Sequence, residues 1–174
     1  SGREAREGHF MLVMRGVKQY SALNLLKFCD DGVVGFALKF DGAKDVLSSK
    51  IVAQTIQAID PSMMLYGLSG SHAIKEAKAI GLRSVQEVFA DRTYQANGQL
   101  TPRYLDHALI TDPNESAQQV LSMVLDQEIK THDGTMIAVN AETICIHGDH
   151  PGALAIAEEL FNTLQQYKIE IKQP

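Results

Sequence analysis

The chain has 174 residues, of which 45% are hydrophobic and 21% charged, and a formal net charge of −5. That balance supports one globular domain with a sizeable core and excludes wholesale disorder. An acidic total without a basic stripe gives no reason to expect nucleic acid, and no apolar run reaches the length of a membrane-spanning helix.

The N-terminus is polar and charged and shows no secretory signal, and residues 1–18 are read as an irregular leader. "KQYSALNLLKFCDDG" carries Ala22, Leu25, Leu26 and Cys29 at helical spacing, with Gly32 as a stop. "VVGFALKF" reads as a short strand. From Asp45 to Ile59, Leu47, Ile51, Val52, Ile56 and Ile59 are expected on the buried face of a helix that Asp60-Pro61 ends. "SMMLYGL" is a buried strand running into "GLSGS", where Ser69 or Ser71 can cap a helix through Leu82. "RSVQEVFA" is the next strand, and Asn97-Gly98 marks a turn beyond it.

Asp112, Pro113 and Glu115 spell a helix start: an N-cap, a proline at the first helical position and a capping-box partner. Ala117, Val120, Leu121 and Val124 follow on one face. "EIKTHDGTMIAV" is a hairpin around Asp133-Gly134. "ETICIHGD" is the last strand. Pro151 opens a closing helix with Ala153, Ala157, Leu160, Phe161 and Leu164 inward. Alternating strands and helices give an α/β fold, mainly parallel, with two β-hairpin excursions. Polar groups at the carboxyl ends of such strands collect at one mouth.

"EVFADRTYQANGQLTPR" sets Glu87, Asp91, Arg92, Tyr94 and Arg103 at such an end. Glu87, in an apolar strand, needs a partner or a proton. Arg92 or Arg103 can supply one as a structural ion pair, or an arginine can grip a substrate carboxylate by a two-pronged hydrogen bond. A carboxylate here suits proton transfer. In "HGDH", His147 and Asp149 share a direction if the strand continues. Asp149 is either a helix cap or, with the imidazole, a metal ligand, although no third ligand stands at a motif spacing. His72, His107 and His132 read as scattered loop or helix-start residues. The backbone of "GLSGS", with Ser69 and Ser71, offers donors to a phosphate or carboxylate. No Walker-type loop is present. Cys29 and Cys145 form neither a CxxC pair nor a disulfide framework, Cys145 reads as a small core side chain, and a reduced cytoplasm is the expected compartment.

"AIDPSMMLYGLSGS", "EVFADRTYQANGQLTPR" and "TICIHGDHPGALAIA" resemble the LamB/YcsF family, with the match dense from about residue 37 to residue 167. The resemblance implies a (β/α) barrel of the deacetylase-like type. It also implies a share, together with B and C subunits, in the ATP-dependent opening of the 5-oxoproline lactam to glutamate. Carried over by motif, Glu87, Asp91, Arg92, His147 and Asp149 belong to the catalytic mouth, and Tyr94, Arg103, Ser69 and Ser71 to substrate binding. Segments reading "DLNCDxGE", "ACGFHAGD" and "GAHPGYPD", which open the family pattern, do not occur in this chain, and "VVGFALKF" stands where the family has "KPHGALYN". The chain therefore resembles the C-terminal portion of the family pattern. The expectations that follow are an incomplete barrel, self-association through an uncovered strand edge, and no turnover by the chain alone. A non-catalytic remnant or interaction module of the same family is the alternative.

Overall fold

The computed structural model describes residues 45–148, 150 and 152–171, with the backbone alone of strands at 11–15 and 35–37. The helix expected around Cys29, and Asp149 and Pro151, lie outside the described residues. The chain divides into two compact units, Lys18–Gln86 and the combination of Ser1–Val17 with Glu87–Pro174.

In the first of these, strand β2 (Gly35–Ala37) runs parallel to β3 (Met64–Leu68), with Phe36 opposite Leu65. Helix α1 (Val46–Ile59) starts where Asp45 accepts the Leu47 and Ser48 amides. Its buried residues are Ser49, Ala53 and Ile56. The sequence expectation for this face is corrected: Leu47, Ile51 and Ile59 are 65%, 53% and 57% exposed. Small side chains at Ser49 and Ala53 let the helix approach its neighbours closely, so the buried arc centres on them and not on the bulkiest residues. Ala53, Ile56, Leu65, Ala77 and Leu82 make the core of this unit.

Helix α2 (His72–Ala79) is shorter than expected. It ends at Gly81, whose φ of +74° is the left-handed conformation that glycine adopts without a Cβ penalty. The Gly81 and Leu82 amides turn back onto the carbonyls of Lys78 and Ala77.

In the second unit, β1 (Met11–Arg15), which falls inside the stretch read as a leader, runs parallel to β7 (Thr143–His147). On the other side of β7 lies β4 (Ser84–Phe89), also parallel, with Glu87 opposite Thr143 and Phe89 opposite Cys145. Every residue of β7 is buried, as a central parallel strand requires, and Cys145 is fully buried within it.

Helix α3 (Pro113–Leu121) begins as the sequence dictates, with Asp112 accepting the Glu115 amide at 2.9 Å and Pro113 in the first turn. Ala117, Val120, Leu121 and Val124 are buried. The helix widens into a π-helical turn at Ser122–Asp126. Strands β5 (Glu128–Lys130) and β6 (Met136–Ala138) form the expected antiparallel hairpin. The other excursion closes through a Tyr94–Leu100 bridge and a Gln95 amide bonded to the Gln99 carbonyl at 2.8 Å.

Helix α4 (Ala153–Gln166) packs on α3 and on β7. Ala153, Ala157, Leu160 and Leu164 face inward together with Ile156 and Thr163, but Phe161 is 47% exposed. It sits one position past the inward Leu160, off the stripe. His107 and His132, read as scattered, stack face to face with ring centroids 3.5 Å apart. The pair ties the loop after β4 to the β5–β6 turn.

Candidate functional site

The site is built where β4 and β7 end side by side. Ala90 carries the ladder one residue past β4 by donating its amide to the Cys145 carbonyl at 2.9 Å. Asp91 comes next and has no exposed surface. Its Oδ2 accepts the His147 backbone amide at 3.0 Å, and the His147 Nδ1 lies 2.9 Å from each carboxylate oxygen. The His147 ring stacks on Phe89, with centroids 5.4 Å apart and planes 17° apart. Backbone, ring face and one ring nitrogen are thus all held.

Burial is the largest influence on Asp91 and pushes its carboxyl up. The hydrogen bond from the His147 side chain, the imidazolium charge and the His147 amide together outweigh it, so the carboxyl titrates below the usual aspartate range. An ionised carboxylate only accepts hydrogen bonds, so the Nδ1 facing it carries the proton. Nε2 is then the ring nitrogen turned away from the carboxylate and left to exchange a proton.

His150 adds a second imidazole. Its Nε2 lies 3.4 Å from Asp91 Oδ2, and neither ring nitrogen has a hydrogen-bond partner although both are buried. Sequence reasoning placed His150 within "HGDH" but chose Asp149 as the site residue. The three-residue step from His147 to His150 was the available signal.

The remaining expected residues are placed as follows. Glu87 is 3% exposed and sits in β4. Arg92 is 6% exposed, and its Nε and Nη2 donate to the carbonyls of Ala108, at 3.2 Å, and Thr101. Two of its donors therefore fasten the loop. Tyr94 is 1% exposed, and its hydroxyl accepts the Phe89 amide at 2.9 Å. Burial raises the Tyr94 hydroxyl far above the ordinary tyrosine value, so it stays protonated. Arg103 is exposed on the turn beyond Thr101.

Ser69 and Ser71 follow β3 in the other unit. Gln86 Oε1 accepts the Gly70 amide at 3.1 Å, with Ser69 Oγ 3.5 Å away. Ser71 occupies the N-cap of α2, but its hydroxyl makes no capping bond and is buried without a hydrogen-bond partner. The structure thus joins Asp91 with His147 and His150, and turns two Arg92 donors and the Tyr94 hydroxyl to neighbouring backbone.

Sequence reasoning also missed Ser116 and Gln119 on α3. Ser116 Oγ donates to the Ala90 carbonyl at 2.8 Å. Gln119 Nε2 donates to the carbonyls of Phe89 and Arg92 at 3.1 and 3.0 Å. The signal was polar residues in register with the apolar face of a helix.

Among the described residues, no group of three or more His, Cys, Asp or Glu side chains is arranged to hold a metal ion. No described helix is long and apolar enough to cross a membrane.

The chain is similar to the 5-oxoprolinase A subunit of Bordetella parapertussis, with 48% identity over 130 residues, 75% of this chain and 52% of that protein. It is similar to the 5-oxoprolinase A subunit of Geobacillus kaustophilus at 45% identity over 132 residues, 76% of this chain and 52% of that protein. Among solved structures it resembles a lactam utilization protein from Thermus thermophilus, at 37% identity and a TM-score of 0.67. That match covers 75% of this chain and 52% of the other. The chain spans about half the length of the curated relatives it matches. The model of the LamB/YcsF family matches residues 35–174, and with this span, these identities and a shared fold, the chain belongs to that family.

Proposed function

We propose that the chain is an A-subunit-like component of an ATP-dependent 5-oxoprolinase, and that Asp91 and His147 supply its proton-transfer chemistry. The observation that carries the reading is the placement of His147 Nδ1 at 2.9 Å from both oxygens of a buried carboxylate. This arrangement orients the ring and leaves Nε2 as a general base. The names of the relatives supply the substrate.

In this reading, water adds to the lactam carbonyl of 5-oxoproline while His147 Nε2 takes its proton. The ring C–N bond then breaks, and the imidazolium returns the proton to the departing nitrogen, giving glutamate. Asp91 stays ionised and stabilises the imidazolium. Glu87 and Asp149 belong to the same mouth by motif. Arg103, exposed on its turn, is assigned to the substrate carboxylate, and Arg92, with two donors on loop carbonyls, to the catalytic mouth. Tyr94 shapes the site from within the core, and the "GLSGS" turn with Ser69 and Ser71 offers donors to an anionic group.

ATP, implied by the family resemblance, is the cofactor whose hydrolysis drives ring opening together with B and C subunits. The fold is read as an incomplete (β/α) barrel of the deacetylase-like type that self-associates, working in the cytoplasm. The alternative is a non-catalytic interaction module of the same family.

Glutamate release from 5-oxoproline with ATP, with and without B and C subunits, tests the reading. Turnover is expected only with the partners and is lost in His147→Gln. Turnover that persists in His147→Gln would refute the catalytic assignment, and no turnover under any combination would favour the interaction module.

A further inference from the structure

We infer that Gln119 and Ser116 are positioning residues that fix Asp91 against His147. The inference rests on the reading of Asp91 and His147 as the working pair. It starts from a backbone problem. Beyond Ala90 the chain leaves the ladder while still buried, so the carbonyls around Asp91 need new donors. Those of Phe89 and Arg92 receive the two hydrogens of one amide, Gln119 Nε2, at 3.1 and 3.0 Å. The carbonyl of Ala90 receives the Ser116 hydroxyl at 2.8 Å. Asp91's own carbonyl accepts the Ile110 amide at 3.0 Å.

The Ala90–Asp91 peptide is therefore held from α3 by Ser116 and the Asp91–Arg92 peptide by the Ile110 amide, while Gln119, three residues along the same helix face, holds the next peptide out on each side. Ser116 is fully buried, so its bond is shielded from competing water. A rotation of the Ala90–Asp91 or Asp91–Arg92 peptide would swing the carboxylate off His147 Nδ1. A glutamine amide has only two hydrogens, and spending both on residues that bracket Asp91 sets a position and not merely a level of stability.

The test follows the His147 Nδ1 proton by NMR of the histidine-labelled chain, which requires no turnover. In Gln119→Met, which keeps the volume and removes both donors, the proton should move upfield and exchange with solvent roughly tenfold faster, the scale of one lost hydrogen bond. Ser116→Ala should give the same change in smaller measure, and it stands in if Gln119→Met fails to fold. Leu164→Ala, a core change on α4, supplies a variant that loses stability without touching the loop, and its His147 proton should not move. A folded Gln119→Met or Ser116→Ala with an unaltered His147 proton overturns the proposal. So does a Leu164→Ala chain that shows the same shift. Failure of the catalytic reading would appear instead as unaltered glutamate release in His147→Gln, with this proton signal intact in the unsubstituted chain.

Discussion

Two strand ends carry the polar residues of this chain, and they are built on opposite terms. After β3 the turn is short, Gly70 takes a φ of +72°, and the Ser71 hydroxyl lies buried with no hydrogen-bond partner. After β4 an ionisable side chain is fully buried, and around it backbone amide, imidazole and helix side chains meet the hydrogen-bonding groups. A charge survives inside a protein only where its partners are supplied. A neutral hydroxyl can go without one at modest cost. The difference shows where the molecule has invested polar organisation, which is at Asp91.

The comparison is broken most severely by removing the carboxylate. Asp91→Ala leaves the His147 amide and Nδ1 buried without their acceptor, and about 3–5 kcal/mol of stability should be lost, read from urea unfolding midpoints. Ser71→Ala removes a group that bonds to nothing and should stay within about 0.5 kcal/mol of wild type. Equal losses at the two positions would erase the distinction.

Acid sharpens it. The Asp91 carboxyl titrates lower in the folded chain than in the unfolded one. Its contribution to stability is therefore complete above the unfolded value of about 3.9 and is lost as pH falls through the folded value. In Asp91→Asn that part of the acid destabilisation should vanish, which unfolding midpoints across acidic pH will report. A variant with the same acid slope as wild type would contradict the assignment. The smaller effect lies in the β3 turn. A Cβ at Gly70 would meet nothing within 4 Å, so Gly70→Ala should cost only the left-handed backbone penalty, about 1 kcal/mol, in the same melts. A much larger loss would mean that the turn is organised more tightly than its contacts indicate.

Much of this was legible in the residues. The start of α3 was written in Asp112, Pro113 and Glu115, because capping is local chemistry. The strand character of β7 was written in a short apolar run, and the polar ends of β4 and β7 marked the site. What failed depended on tertiary packing. The buried face of α1 is set by Ser49 and Ala53, whose smallness becomes an advantage only against a neighbouring surface. Phe161 is apolar but falls off the stripe that packs on α3 and β7. At the site, sequence named Asp91 and His147 but could not pair them, since they stand 56 residues apart. It left Arg92 open between a structural ion pair and a ligand grip, and two of its guanidinium donors turn to loop carbonyls that no spacing rule locates. Gln119 and Ser116 were invisible because their partners are backbone atoms, which leave no pattern in a sequence.

The most direct test of the account is the protonation of His147, read from ring nitrogen chemical shifts of the histidine-labelled chain near neutral pH, in wild type and in Asp91→Asn. The account predicts a proton on Nδ1 in wild type, held against Asp91, and a shifted balance between the two ring nitrogens once the carboxylate is gone. A wild-type ring protonated at Nε2 alone, or a tautomer balance indifferent to Asp91→Asn, would contradict it.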